Sequence, residues 1–410
     1  MERRGMLPDA ERLAQIGAVD VVVGVPGCSD GAAVAAARET WQQALQSFRP
    51  FPRAVLMHAD PGTPGGPDDE PSPDDGRVAL LYAPMTDAAQ VELLGTAYAD
   101  TVRSVMQVSQ QLQARAACVL GTLSTGVSPD EAVRLLTPVL EQGVDLMVPR
   151  HETRATEGLI TRGILGPLTR AIFGIRLHDP MVVNFVGSAP IAARVAGWPA
   201  HGTRSPAVWL ANEAACGGMG IGEAFVRRPD PSPGQADLAT VFATLLGSLF
   251  ADIERQAPCW QRIHASRPVL LAGSPRPVAE AAPAVDTARM VEAFRSALGN
   301  LANVWSMLLP PATLLELKKL SRLPAEQFHI PDDLWARVVY DVTLGHRLRV
   351  ISRDHVLRSF VQLYLAWVAS WVMQASDDTA AGQQERLCVA FEQQKPYLLS
   401  RWRWPDRFSP

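Results

Sequence analysis

Lysine is almost missing from this chain of 410 residues, in which Lys318, Lys319 and Lys395 are the only lysines. The formal net charge is −4, so no broad basic field is available to hold the phosphate backbone of a nucleic acid. The sequence therefore predicts no nucleic-acid partner.

Cysteine is also scarce, and its spacing does not suit a metal site. The chain has five cysteines and no C-x-x-C pair: Cys28, Cys118, Cys216, Cys259 and Cys388. This scattered, odd set argues against a zinc site or a disulfide framework and favours a reducing compartment. The first residues, "MERRGMLPDAERL", have no apolar stretch behind their charges, so we expect no signal peptide and a cytoplasmic protein.

Long hydrophobic runs are missing as well. The longest apolar stretch, Phe360–Met373, is interrupted by Gln362 and Ser370. A membrane-spanning helix needs about 20 consecutive apolar residues. The sequence therefore predicts a buried helix here and no membrane span.

Apolar runs that end in turn signals alternate with helical patterns over the first 150 residues. The predicted strands are Val19–Val25, Arg53–His58, Val78–Tyr82, Ala116–Leu120 and Val144–Val148. The predicted helices between them are Ala32–Ser47, Asp87–Leu112 and one that begins at Ser128-Pro129-Asp130-Glu131, a capping box. This alternation indicates an α/β fold with a mostly parallel sheet.

The length of the chain favours more than one domain. The composition changes to Pro and Ala near residue 274, and the pattern beyond it is helical and rich in tryptophan. We therefore predict an α/β domain over residues 1–270, a linker over 271–285 and a helical domain over 286–410. We expect the tail tryptophans, such as Trp367 and Trp371, to form core rather than a stacking platform.

Three motifs in the middle of the chain resemble one enzyme family. They are "EGLIT" (Glu157–Thr161), "PLTRAIFG" (Pro167–Gly174) and "DPMVVNF" (Asp179–Phe185). They are similar to the family 2-type glycosyltransferases that include the glucosyl-3-phosphoglycerate and mannosylglycerate synthases. The resemblance covers roughly residues 18–260. It implies a nucleotide-diphospho-sugar transferase fold of the GT-A type, a UDP- or GDP-hexose as donor and a small acceptor.

The resemblance also implies where the ligands bind. The nucleotide-sugar positions are Pro26, Gly27, Ser29, Asp60, Gly62, Gly121, Leu123, Arg227 and Arg228, and the acceptor positions are Arg150, Thr161 and Asn184. Gly121 and Leu123 stand where the family has the D-x-D that binds a metal and the ribose. Asn184 and Ala207 each replace an acidic residue, and Val226–Arg228 replaces a metal-binding histidine.

These replacements leave two functions open. No catalytic residue can be assigned, and we expect neither a metal nor another cofactor. Arginines in the presumed site loops could hold phosphate in place of a metal or could be solvated surface residues. They are Arg150, Arg154, Arg162, Arg227 and Arg228. The chain is then either a divergent, metal-independent glycosyltransferase or a pseudo-glycosyltransferase that binds a sugar nucleotide or a protein without transfer. A homodimer is left open as well.

Overall fold

We describe the protein from a computed structural model. It describes residues 10–26, 31–58, 78–82, 96–121, 123, 126–198, 205–228, 238–275, 285–375 and 379–403. The chain divides into two compact units. The first, here called the α/β unit, consists of Met1–Glu152, Met181–Gly234 and Val269–Arg276, and the second, the helical unit, of Thr153–Pro180, Gln235–Pro268 and Pro277–Pro410. These segments interleave, so the units do not follow the single boundary near residue 270 that composition suggests.

An eight-stranded sheet forms the centre of the α/β unit within the described residues. Its strands are β1 (Val21–Val25), β2 (Ala54–His58), β3 (Val78–Tyr82), β4 (Ala116–Leu120), β5 (Leu146–Arg150), β7 (Asn184–Ser188), β8 (Ile221–Phe225) and β10 (Leu270–Ala272); β6 (Ile175–Arg176) and β9 (Arg267–Pro268) pair separately in the helical unit. Every residue of β1, β2 and β4 is buried, as expected for parallel strands covered on both faces.

The strand order is β3-β2-β1-β4-β7-β5-β8-β10. Every pairing is parallel except those of β7, which runs antiparallel to both β4 and β5. The α/β fold with a mostly parallel sheet is therefore confirmed. The sequence also predicts that the first, second, fourth and fifth strands are neighbours in one mostly parallel sheet. All four lie in this sheet, but β7 separates β5 from β4.

Six helices complete the described part of the α/β unit. They are α1 (Ala10–Ile16), α2 (Gly31–Leu45), α3 (Thr96–Gln111), α4 (Pro129–Glu141), α6 (Ala189–Ala196) and α7 (Pro206–Cys216). The capping box at the start of α4 is confirmed: the Ser128 hydroxyl accepts from the Glu131 amide, and the Glu131 carboxylate accepts from the Ser128 amide. The predicted start of α3 near Asp87 lies outside the described residues.

The helical unit contains α5 (Gly166–Phe173), α8 (Leu238–Arg255), α9 (Ala257–Trp260), α10 (Thr287–Asn300), α11 (Ala302–Leu308), α12 (Pro311–Leu320), α13 (Asp332–Leu348), α14 (Arg353–Gln374) and α15 (Ala380–Arg403). A π-helical turn, Thr161–Leu165, precedes α5, and a 3-10 turn spans Ala325–Gln327. The predicted helical C-terminal region is thus confirmed. Among the described residues, α14 alone is long and apolar enough to cross a membrane by length and composition, but 72% of that stretch is buried within the protein. Such burial is typical of the core helix of a soluble protein.

Aromatic side chains fill the core of the helical unit. Trp335 stacks on Trp367, with ring centroids 5.7 Å apart, and Trp367 contacts Trp371 at 5.4 Å. The indole N–H of Trp335 donates to the Gly163 carbonyl at 2.7 Å, and that of Trp371 donates to the Ala155 carbonyl at 2.8 Å. Trp367 and Trp371 are each 3% exposed, so the prediction that they form core is confirmed.

The cysteines differ in part from the expectation. Cys118 and Cys388 are free and buried. In the α/β unit Cys216 is disulfide-bonded, and in the helical unit Cys259 is disulfide-bonded. The inference from scattered spacing is therefore wrong for these two residues, because distance in the folded chain, not spacing along it, decides whether a cysteine can pair.

Candidate functional site: the carboxyl edge of the sheet

The carboxyl ends of seven parallel strands define one edge of the sheet, and the start of the antiparallel β7 lies on the same edge. Going outward from β1, the chain runs through β2 and β3 on one side and reaches β4 on the other. The strand order therefore reverses between β1 and β4. In open α/β sheets ligands bind outside the carboxyl ends of the strands at such a reversal. This edge is the place to look for a site.

Gly121, directly after β4, is tightly surrounded by its neighbours. A side-chain Cβ at Gly121 would lie 3.3 Å from the Val183 carbonyl oxygen and 3.4 Å from the Tyr98 ring. The Tyr98 hydroxyl donates to that same Val183 oxygen at 2.5 Å. A side chain at this position would therefore require these neighbours to shift by a few tenths of an ångström.

Leu123 and Asn184 are brought together at the same place. Leu123 is 1% exposed and belongs to the apolar core, and its amide donates to the Asn184 side-chain oxygen at 3.2 Å. Asn184, at the start of β7, is 7% exposed. In this structure the Asn184 carboxamide thus supports the loop after β4. Ala207, the other position where the family has an acidic residue, is fully buried in α7.

These residues do not fit a metal. Gly121 has no side chain, and that of Leu123 is apolar and buried, whereas Mn²⁺ or Mg²⁺ at a diphosphate takes oxygen ligands. Among the residues that the structure describes, no group of three or more His, Cys, Asp or Glu side chains could hold an ion. We derive no chemical step through a metal.

We expect Leu123→Asp to destabilise the protein by at least about 2 kcal/mol without creating a Mn²⁺ site, because the change buries a carboxylate in an apolar cluster. Leu123→Met, which conserves volume, should cost less than about 1.5 kcal/mol. Urea unfolding and calorimetric titration with Mn²⁺ measure the two effects. A Leu123→Asp variant of native stability, or one that gains tight Mn²⁺ binding, would show that this position is an open ligand site.

Basic side chains collect at the ends of β5 and β8. Arg150 ends β5, half-buried, with its guanidinium 4.8 Å from the Phe225 ring centroid. It forms long ion pairs with Glu223 at 3.7 Å and Glu152 at 3.9 Å. These contacts hold the Arg150 side chain against the end of the sheet.

Arg227 and Arg228 follow β8, and both are exposed. The backbone beneath them is held firmly. The Val226 amide donates to the Arg150 carbonyl at 3.1 Å, and the Arg227 amide donates to Glu131 Oε1 at 2.7 Å. The chain thus presents two consecutive exposed arginines from a fixed piece of backbone.

His151 lies beside the same loop. Its Nδ1 is 3.3 Å from the Val226 carbonyl oxygen, which requires the proton on Nδ1 if the two are bonded. Burial lowers the pKa of His151, backbone hydrogen bonds to Val226 and Arg227 oppose that shift, and the Arg228 charge adds to it. The imidazole is therefore neutral at pH 7.

Sequence reasoning missed Glu131 and His151 as parts of this edge. The capping box at Ser128–Glu131 is visible in the sequence, but it indicates only the start of a helix. The second partner of Glu131 is 96 residues away along the chain. No local pattern could have pointed to that contact.

The remaining sequence-predicted residues divide into two groups. Pro26 is buried in the turn after β1, and Thr161 is half-buried in the π-helical turn of the helical unit. Gly27, Ser29, Asp60 and Gly62 lie outside the described residues.

Arg162 is not available to a phosphate. It is 8% exposed, and its guanidinium donates to the carbonyls of Thr153, Arg154 and Glu157 and to the Thr153 hydroxyl, at 2.8–3.2 Å. The hypothesis that Arg162 is a phosphate-binding or solvated arginine is therefore wrong. Its role is to fold the loop that precedes the π-helical turn.

No family model matches the chain, and no curated protein matches it. The resemblance to family 2 glycosyltransferases therefore rests on the quoted motifs alone and stays a prediction.

Proposed function

We propose that the α/β unit binds a UDP- or GDP-hexose at the carboxyl edge of its sheet and transfers the hexose to a small acceptor without a divalent metal, as a divergent glycosyltransferase of the family 2 and GT-A type. The observation that carries this proposal is the exposed pair Arg227 and Arg228 on a fixed backbone after β8, at the same carboxyl edge of the sheet as the reversal of strand order between β1 and β4. In open α/β sheets ligands bind in the crevice outside the carboxyl ends of the strands.

The spacing between the strands allows one ligand to reach from the ends of β1 and β4 to the loop after β8. Strands lie about 4.8 Å apart, so three steps from β4 to β8 cover roughly 14 Å. A nucleoside placed at β1 and β4 can then direct its diphosphate toward the arginines after β8. Guanidinium groups bind phosphate oxygens through paired hydrogen bonds and carry a permanent charge, so they can replace a cation.

In a transfer reaction, the bond between the hexose C1 and the diphosphate oxygen breaks, and the acceptor hydroxyl oxygen bonds to C1. The leaving diphosphate gains negative charge, which Arg227 and Arg228 would stabilise. The acceptor proton passes to a base, for which no residue is assigned. The role of Arg227 and Arg228 in this reaction is to stabilise the leaving diphosphate.

The second candidate is a pseudo-glycosyltransferase that binds a sugar nucleotide, or a partner protein, without transfer. The closed environment of Gly121 and Leu123 favours it, because the positions that would carry the D-x-D chemistry are filled by core packing. Transfer of labelled hexose to small hydroxylated acceptors separates the two candidates, since only the first predicts product.

We expect Arg227→Ala combined with Arg228→Ala to weaken UDP- or GDP-hexose binding at least tenfold, because each guanidinium offers charge-assisted hydrogen bonds to the diphosphate. Mn²⁺ should not raise the affinity of the wild-type protein. Isothermal titration calorimetry with and without Mn²⁺ measures both. Arg289→Ala combined with Arg322→Ala, at two exposed arginines of the helical unit, is the matched loss of two charges and should leave the affinity unchanged. Equal affinity in the double variant, or affinity that depends on Mn²⁺, would contradict the proposal.

A further inference from the structure

One peptide group at the carboxyl edge is held at both of its polar atoms by titratable side chains. The Arg227 amide N–H donates to Glu131 Oε1 at 2.7 Å, and the Val226 carbonyl oxygen lies 3.3 Å from His151 Nδ1. These two atoms belong to the same peptide plane, the one that precedes Arg227. The plane can therefore not rotate without breaking a contact on one side or the other.

Both carboxylate oxygens of Glu131 accept hydrogen bonds from backbone amides. The residue is 1% exposed, and its other oxygen, Oε2, accepts from the Ser128 amide at 3.0 Å. One buried carboxylate thus joins the start of α4 to the loop after β8. It also supplies the negative charge at the start of α4, so the exposed positive groups at this corner are side chains, not the helix terminus.

We propose that Glu131 and His151 are positioning residues that fix the Val226–Arg227 peptide so that the guanidinium groups of Arg227 and Arg228 are preset for the two phosphoryl groups of a nucleoside diphosphate. This inference rests on the proposed function and goes beyond it by naming the two residues that hold the arginine-bearing backbone in place. Ordering the backbone beforehand saves the entropy that a flexible loop would lose on binding. A nucleoside monophosphate, with one phosphoryl group, gains less from a preset pair.

The test uses the full chain and the probes UDP, GDP and their monophosphates. We expect the better of the two diphosphates to bind at least tenfold more tightly than its monophosphate. Glu131→Gln should raise the Kd for that diphosphate about tenfold, because the carboxamide places an NH2 group where one of the two carboxylate oxygens accepts, so the Ser128 or the Arg227 amide loses its acceptor. It should change the Kd for the monophosphate much less.

Ser128→Ala is the matched control. It removes the hydroxyl that accepts from the Glu131 amide at 3.4 Å and so weakens the start of the same helix, but it leaves the Glu131 carboxylate free to accept from the Arg227 amide. The control should lower thermal stability without changing the diphosphate Kd. His151 contacts the carbonyl oxygen of the same peptide. His151→Asn should retain the affinity for the diphosphate, because the asparagine side chain can still donate an N–H, and His151→Leu should lose this affinity.

Hydrogen–deuterium exchange of peptides that contain the Arg227 amide tests the positioning role separately from diphosphate binding. We expect faster exchange in Glu131→Gln than in the wild type or in Ser128→Ala. Unchanged exchange, or a diphosphate Kd that Ser128→Ala raises as much as Glu131→Gln does, overturns the positioning role even if the wild type binds diphosphate. Failure of the wild type to bind either diphosphate overturns the proposed function and the ligand assignment, whatever the exchange experiment shows.

Discussion

Gly163→Ala is expected to destabilise the helical unit by about 3 kcal/mol or more, at the upper end of the range for an overpacked core. An added Cβ would lie 2.5 Å from Cη2 and 2.7 Å from Cε3 of Trp367. The Trp367 ring cannot retreat, because Trp335 stacks on it and Trp371 and Tyr364 pack against it. The Gly163 carbonyl is also fixed, since it accepts from the Trp335 indole.

Gly247→Ala is the matched control for this change. Gly247 lies in the middle of α8, and its added Cβ would meet only Leu357 Cδ1, at an ordinary contact distance of 3.5 Å. This variant should be stabilised by roughly 0.5–1 kcal/mol, because glycine is unfavourable inside a helix. Denaturant unfolding followed by tryptophan fluorescence measures both. A Gly163→Ala protein within about 0.5 kcal/mol of the wild type would mean that the aromatic cluster is loosely packed, contrary to the buried geometry.

One buried carboxyl group, that of Asp341, is expected to contribute a stability to the helical unit that falls as the pH rises from about 4 to 7. His346 on the same helix contributes with the opposite sign, because burial lowers its pKa to about 4. Asp341 of α13 is fully buried. The Tyr397 hydroxyl lies 2.7 and 2.9 Å from its two oxygens, and Arg401 Nε lies 3.2 Å from Oδ1. Burial raises the pKa of Asp341 to about 7, and the Arg401 charge and the Tyr397 hydrogen bond offset only part of that rise.

The sign of the effect follows from proton binding. In the unfolded chain the pKa of an aspartate is about 3.9, so between pH 4 and 7 the folded state holds a proton that the unfolded state has lost. Folding then takes up a proton, and the free energy of unfolding decreases as the pH rises. The stability is fully present below the unfolded pKa and is lost as the pH rises through the folded pKa. The slope is at most about 1.4 kcal/mol per pH unit, or about 4 kcal/mol over the whole window.

Asp341→Asn should remove this dependence, because the amide does not titrate. The free energy of unfolding of the wild type relative to the variant should fall between pH 4.5 and 7.5, as measured by urea unfolding at each pH. Asp333→Asn on the same helix, whose side chain is 51% exposed, should leave the pH profile of the wild type almost unchanged. A constant difference between the wild type and Asp341→Asn would show that Asp341 is ionised throughout this range.

Local sequence signals predicted much of the α/β unit. The apolar runs at β1, β2 and β4 and the capping box of α4 appear where the sequence placed them, because strand burial and helix capping depend on a few adjacent residues. The position of β7 was not predictable in this way. Nothing within Asn184–Ser188 indicates that this strand runs antiparallel between β4 and β5.

The site illustrates the same division. The sequence identified Gly121 and Leu123 as positions without metal ligands, since side-chain chemistry can be read at each residue. It could not show that the Asn184 side-chain oxygen accepts from the Leu123 amide, or that Glu131 accepts from the Arg227 amide, because these contacts join segments 61 and 96 residues apart. Arg162 was misjudged for a related reason: the loop that surrounds its guanidinium exists only in the folded chain.

Because the segments interleave, residues 155–172 are synthesised long before some of the side chains that bond to them. Every residue of Arg162–Phe173 is buried in the finished protein, yet the indoles of Trp335 and Trp371 and the ammonium of Lys395 that bond to the Ala155–Ile172 backbone lie 172–223 residues later. At a synthesis rate of roughly 5–20 residues per second, that delay is about 10 to 45 seconds. During this interval the segment leaves the ribosome with its apolar surface uncovered. It is therefore a part of the nascent chain that a holdase chaperone would be expected to bind.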